Sequence, residues 1–111
     1  MQLLLGALFF AGLVFGQITG DLQVNVSDQS GAAVAGATVS VRSVGTGITR
    51  EGTTDGTGQY RVAQLENGQY EVKVSHPGFT TVTQFAQVSS GGISTVAMSL
   101  MHLIKTPGQD I

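Results

Sequence analysis

Residues 68–75 read Gly-Gln-Tyr-Glu-Val-Lys-Val-Ser, and this stretch decides the fold class. The apolar side chains of Tyr70, Val72 and Val74 alternate with polar neighbours. A period of two places alternate side chains on one face of an extended strand. The stretch therefore predicts a strand with one buried face and one face in water.

The same alternation recurs in both directions along the chain, between glycine-rich turns. No window after residue 20 carries the 3.6-residue apolar period of a helix. Short strands at roughly 8–12-residue spacing are typical of a β-sandwich or barrel. The predicted strands cover residues 22–26, 37–42, 48–53, 60–65, 70–75, 80–88 and 93–100.

The apolar faces of these strands supply a predicted core. Burying one such side chain contributes about 1.5–3 kcal/mol, so the set is large enough to offset the chain entropy of one small domain. The predicted core residues are Leu22, Val24, Val26, Val39, Val41, Tyr60, Val62, Tyr70, Val72, Val74, Phe79, Val82 and Phe85.

Composition excludes several classes of protein. Only 11% of the 111 residues are charged, and the formal net charge is -2. Nucleic-acid binding needs clustered cations against the phosphates, and the bases of this chain are scattered. There is no cysteine, which removes disulfides, thiolate metal ligands and cysteine nucleophiles. The five bases are Arg42, Arg50, Arg61, Lys73 and Lys105.

The N-terminal segment has a different character from the rest. Residues 3–15 are apolar throughout, which is shorter than the roughly 20 residues of a membrane-spanning helix and fits the apolar core of a secretory signal. We predict a signal peptide over residues 1–16 with cleavage between Gly16 and Gln17. The usual basic start is absent, which indicates a start site placed too late or a fragment. A buried helix of the folded domain is the alternative interpretation.

Candidate reactive sites are sparse. Residues 55–58 (Asp-Gly-Thr-Gly) offer one carboxylate, whereas calcium binds several oxygen ligands, so this motif predicts a turn. His76 and His102 lie far apart in sequence without acidic neighbours, and zinc needs three or four ligands. Serine and threonine are plentiful, but no Gly-x-Ser-x-Gly elbow occurs. We therefore predict no catalytic residues, no metal site and no cofactor.

Several motifs in a fixed order resemble the carboxypeptidase regulatory-like domains. Residues 26–39 read VSDQSGAAVAGATV, residues 54–62 read TDGTGQYRV, residues 68–72 read GQYEV and residues 77–79 read PGF. The resemblance covers residues 22 to 85, and it departs from the family pattern at Val24 (commonly glycine) and Ala35 (commonly proline). It implies an antiparallel, transthyretin-like Greek-key sandwich of seven strands. It assigns residues 17–100 to this domain and leaves 101–111 as a tail.

The resemblance also implies a class of function. Such domains are non-catalytic appendages of zinc carboxypeptidases, and they form N-terminal extensions of bacterial TonB-dependent receptors. The implied location is the periplasm, outer membrane or surface of a Gram-negative bacterium, with outer-membrane association only as part of a longer receptor. The partner is an unidentified protein or glycan.

Carbohydrate binding is the alternative, because the fold class is grouped with starch-binding-like sandwiches. Sugars dock on exposed aromatic rings, and Tyr60 and Tyr70 are the candidates for that contact. Both share the parity of a neighbouring valine in their strands, Val62 and Val72, so they are expected to pack inward.

Overall fold

The computed structural model describes residues 19–103, and these fold into strands joined by turns, without a helix. Each of the seven predicted strands is present. Two predicted segments lie outside the described residues. They are the signal peptide with its cleavage site at Gly16 and Gln17, and residues 104–111 of the tail. The strands are β1 Thr19–Asp28, β2 Thr38–Ser43, β3 Thr49–Thr53, β4 Gln59–Glu66, β5 Gly68–Ser75, β6 Val82–Val88 and β7 Ile93–Leu100.

The strands form two sheets that pack face to face. The first, sheet A, has the order β4-β1-β7, and the second, sheet B, has the order β3-β2-β5-β6. Edge strands β3 and β4 therefore come together on one side of the sandwich, and edge strands β6 and β7 on the other. We call these the β3–β4 seam and the β6–β7 seam. The Greek-key description of the connections stays a prediction.

One strand pair corrects the expectation of a fully antiparallel sandwich: β1 and β7 are parallel. The direction of each strand follows from the connections between successive strands. Each connection reverses the chain direction, so all odd-numbered strands run the same way. β1 and β7 are both odd-numbered, and they become neighbours because the chain crosses from sheet B to sheet A after β6. The other pairs join an odd with an even strand and are antiparallel.

The core lies between the sheets and follows the predicted alternation. Tyr60, Phe79 and Val82 are partly buried and pack against it. No helix in the described residues is long and apolar enough to cross a membrane. The core contains Leu22, Val24, Val26, Val34, Ala37, Val39, Val41, Val62, Leu65, Tyr70, Val72, Val74, Ala86, Val88, Val96, Met98 and Leu100.

Phe85 was predicted in the core, and this prediction is wrong. Its side chain is 57% exposed. Phe85 lies opposite Glu71 across the β5–β6 ladder, and directly opposed residues share a face of the sheet. Val82 and Phe85 are separated by an odd number of positions, so a strand that turns Val82 inward must turn Phe85 outward. Ala86 and Val88 take the inward positions of β6 instead.

Candidate functional site

A cleft opens at one end of the β3–β4 seam, between the two sheets. Its volume is about 220 Å³. It lies where the β2–β3 hairpin and the start of β5 in sheet B face the end of β4 and the start of β1 in sheet A. The lining residues that give it chemical character are Ile48, Arg50, Gln64, Leu65, Glu66 and Tyr70.

Sheet B supplies one cationic and one apolar side chain to the cleft. Arg50 pairs directly with Val41, whose side chain is fully buried. Because opposed residues share a face, Arg50 is on the inward face of edge strand β3, where a core residue would stand in a central strand. Ile48, just before β3, is 63% exposed. The hairpin therefore places a guanidinium and an exposed aliphatic side chain at the mouth of the cleft.

The floor of the cleft is apolar and ordered by one hydrogen bond. Leu65 is 4% exposed and Tyr70 is 5% exposed. The Tyr70 hydroxyl donates to the Glu66 carbonyl oxygen at 2.7 Å. Burial raises the pKa of Tyr70 above 10.0, and the Glu66 carboxylate raises it further, whereas the charge of Arg50 acts in the opposite direction. The charges of Glu66 and Arg50 therefore both influence the pKa of the Tyr70 hydroxyl, in opposite directions.

The rim is held in an unusual backbone conformation. Gln64 has φ +60°, in the left-handed region, which costs a residue with a β-carbon about 1–3 kcal/mol. Its backbone N–H donates to Asp21 Oδ1 at 3.3 Å, while Arg61 Nη2 donates to Asp21 Oδ2 at 2.8 Å. The hydrogen bond from Arg61 lowers the pKa of Asp21 below 3.8. Asp21 lies at an irregularity of β1 between Gly20 and Leu22.

The two tyrosines predicted as sugar contacts lie in different surroundings. Tyr70 forms part of the cleft floor. Tyr60 is half-buried, and its ring covers Gly52 of β3 so closely that a β-carbon there would overlap the ring. Tyr60 thus closes the β3–β4 seam at its other end. Both rings pack inward, as their parity in the strands indicates.

The calcium-like motif is a turn in the structure. Asp55 Oδ1 accepts hydrogen bonds from the Thr57 backbone N–H at 2.9 Å, the Thr57 hydroxyl at 2.7 Å and the Gln59 N–H at 3.0 Å. These bonds lower the pKa of Asp55, with the bond from Gln59 contributing most. One carboxylate oxygen is thus fully used in local bonds. Among the residues with described positions, no three His, Asp or Glu side chains cluster as a metal site would require.

The two histidines are closer in space than their separation in sequence suggests. Phe79 lies between them: its ring centroid is 5.6 Å from that of His76 and 4.3 Å from that of His102. A β-bridge between Phe79 and His102 produces this arrangement. His76 Nδ1 lies 3.0 Å from the Pro77 carbonyl oxygen. The cluster packs the 76–79 corner onto the residues that directly follow β7.

Comparisons with known proteins agree with this architecture. A curated relative, the serine-aspartate repeat-containing protein D of Staphylococcus aureus, is 31% identical over 78 residues. The match covers 66% of this chain but 6% of the relative, so the chain spans a small part of that protein's length.

Two solved structures show the same fold. A minor pilin of Streptococcus agalactiae superposes with TM-score 0.70 at 14% identity, over 81% of this chain and 47% of the pilin. Catechol 1,2-dioxygenase from Pseudomonas arvilla superposes with TM-score 0.65 at 12% identity, over 90% of this chain and 57% of the enzyme. At such identities the likeness concerns the fold and not the activity.

The family profile of the carboxypeptidase regulatory-like domain matches residues 21–101. This range contains all of β2 to β7 and most of β1. It confirms the resemblance seen in the sequence motifs. The chain belongs to the carboxypeptidase regulatory-like domain family.

Proposed function

We propose that the chain is exported and acts outside the cytoplasm as a non-catalytic interaction module. Its partner would contact the loops or a free sheet edge, as in recognition by strand addition. The observation that carries the proposal is the sandwich with an open β3–β4 seam. The apolar residues 3–15 and the likeness to a pilin and to a staphylococcal repeat protein support export.

Export can be tested with the whole chain expressed in a Gram-negative host. We expect it in the periplasmic or surface fraction, with Gln17 as the new N-terminus in mass spectrometry of the intact protein. Phe10→Arg places a charge in the apolar run and should retain the protein in the cytoplasm. Asp110→Arg, a charge change in the tail, is the control and should leave export intact. Retention of the unchanged chain in uncleaved form would refute export.

The finer proposal is that the domain is the N-terminal extension of a TonB-dependent receptor. The family resemblance supports it, while the compared staphylococcal and streptococcal proteins favour a Gram-positive surface setting. Reading the genomic DNA past the codon for Ile111 tests the two. A plug and a barrel encoded in frame would support the receptor. A genuine stop codon with no barrel gene fragment downstream would count against it.

Carbohydrate binding is the second candidate, and the observation in its favour is the tyrosine that forms part of the cleft floor. A glycan array probed with the whole chain provides the test. Binding that is lost in Tyr70→Ala or Tyr60→Ala, while circular dichroism shows intact sheet, would favour this function. Phe85→Ala removes an exposed ring on the outer face of sheet B and is the matched control. Absence of any glycan signal would refute it.

A further inference from the structure

Two residues of opposite charge, Arg50 and Glu66, line the cleft at the β3–β4 seam, and neither has an ionic partner among residues 19–103. In the described part of the chain, the ion pairs are Arg42–Glu71 and Arg61–Asp21. Neither of these two pairs involves a residue of the cleft. A ligand that carries one positive and one negative group would complement both Arg50 and Glu66.

Between these charges the cleft offers an apolar surface. Leu65 and the Tyr70 ring are buried at its floor, and Ile48 is exposed at its mouth. Thr19 and Thr46 are also among the lining residues. The volume of about 220 Å³ is below the roughly 300–1,000 Å³ of pockets for drug-sized ligands. The cleft therefore fits a small molecule with an aliphatic portion.

The backbone at the rim gives an independent sign of a binding site. Gln64 is the one non-glycine residue with positive φ among residues 19–103. Strained backbone persists where the surroundings enforce it and is concentrated at ligand sites. Here Asp21 accepts the Gln64 N–H and is itself held by Arg61. This arrangement fixes the last residues of β4, Leu65 and Glu66, which line the cleft.

We propose that the cleft binds a free α-amino acid with an aliphatic side chain. The ligand carboxylate would lie against the guanidinium of Arg50, and its ammonium group against the carboxylate of Glu66. The side chain would cover Leu65 and the ring of Tyr70. Binding of this kind needs neither export nor a macromolecular partner, so its failure would leave the interaction function untouched.

Arg50 also has a purely structural interpretation. A charged side chain on the inward face of an edge strand hinders pairing with the edge of another molecule. Under that interpretation the residue prevents aggregation and contacts no ligand. Arg50→Gln distinguishes the two roles. If Arg50 protects the edge, the variant self-associates; if Arg50 binds the ligand, the variant loses ligand affinity.

The test is an NMR titration of the whole 15N-labelled chain with L-leucine. We expect saturable shifts of the Arg50, Gln64, Glu66 and Tyr70 amide signals. Leucinamide lacks the carboxylate and 4-methylpentanoate lacks the ammonium group. Each loses one charge-assisted contact and should bind at least about tenfold more weakly. Glycine lacks the side chain and should produce no saturable shift.

Variants separate the proposal from its alternatives. Arg50→Gln and Glu66→Gln should each weaken leucine binding at least about tenfold, whereas Arg42→Gln, on the outer face of sheet B, should bind as the unchanged chain does. Several results would overturn the proposal: no saturable shift with leucine, equal binding of leucine and its two analogues, or shifts caused only by sugars. Self-association of Arg50→Gln with unchanged leucine affinity would also overturn it.

Discussion

The two seams of the sandwich are closed in different ways. At the β6–β7 seam, the side chain of one edge strand bonds to the backbone of the other. Gln84 Nε2 donates to the Ala97 carbonyl oxygen at 3.4 Å, and Ser94 Oγ donates to the Gln87 carbonyl oxygen at 2.8 Å. At the β3–β4 seam, one ring covers one glycine, and beyond this contact the sheets separate around the cleft.

The difference shows where this fold leaves room for binding. Side-chain bonds at the β6–β7 seam satisfy backbone carbonyls that an edge would otherwise expose. The β3–β4 seam leaves charged side chains at its open end. A sandwich can therefore open a cleft by leaving one seam incompletely closed, without a change to its core.

The largest expected effect concerns the core residues that the β6–β7 seam covers. Leu100 of β7 is fully buried, so Leu100→Ala should lower the free energy of unfolding by about 2–5 kcal/mol. Phe85→Ala, on the outward face of β6, should change it by at most about 0.5 kcal/mol. Urea unfolding followed by circular dichroism measures both. Equal losses would show that Phe85 packs inward after all.

The contact between Gly52 and Tyr60 tests the closed end of the β3–β4 seam. A β-carbon at Gly52 overlaps the tyrosine ring, so Gly52→Ala should cost about 1–3 kcal/mol of stability through overpacking. Gly45→Ala is the matched control, since a β-carbon there meets nothing within 4 Å. The same urea titrations apply. A Gly52→Ala variant as stable as the control would mean that the ring does not cover β3.

The strained rim of the cleft predicts a smaller effect of opposite sign. Gln64→Gly removes the cost of a β-carbon at φ +60° and should raise the free energy of unfolding by about 0.5–1 kcal/mol. Gln59→Gly, in the same strand with ordinary backbone, should lower it by about 0.5–1 kcal/mol. Thermal unfolding of both variants gives the comparison. Destabilisation of the two to the same extent would exclude strain at Gln64.

The smallest effect is a pH dependence at the same rim. The hydrogen bond from Arg61 lowers the pKa of Asp21 below 3.8 in the folded state. Its contribution is therefore present above pH 3.8 and is lost as the pH falls through the lower, folded-state pKa. In Asp21→Asn the decline of stability below about pH 4 should be shallower. Thermal unfolding between pH 2.5 and about pH 6 tests this, and an unchanged acid slope would contradict it.

The sequence predicted the strands because alternation and glycine turns are local signals. The alternation along β5 predicts directly that Tyr70 and Val72 face inward, and both are buried. Hydrophobicity alone predicts Phe85 in the core, whereas its odd spacing from Val82 turns it outward. Met98 and Leu100 are buried beyond the predicted core, and their parity with Val96 in β7 indicates that burial.

The cleft itself could not be predicted. The cleft depends on the order of the strands in the two sheets, because this order makes β3 and β4 edge strands on the same side of the sandwich. Strand order is not a local property of the sequence. Arg50 and Glu66 carry no sequence signal of their proximity. The same holds for His76 and His102, which meet around Phe79 through a single bridge.

Residue-by-residue amide hydrogen exchange of the whole chain tests the contrast between the seams most directly. Slow exchange depends on paired amides that rarely open. We predict the slowest exchange in β1, β2 and β5, which are paired on both sides, intermediate rates in β6 and β7, and the fastest rates of any strand in β3. Protection of β3 equal to that of β2 would show that the β3–β4 seam is closed, and would contradict the account.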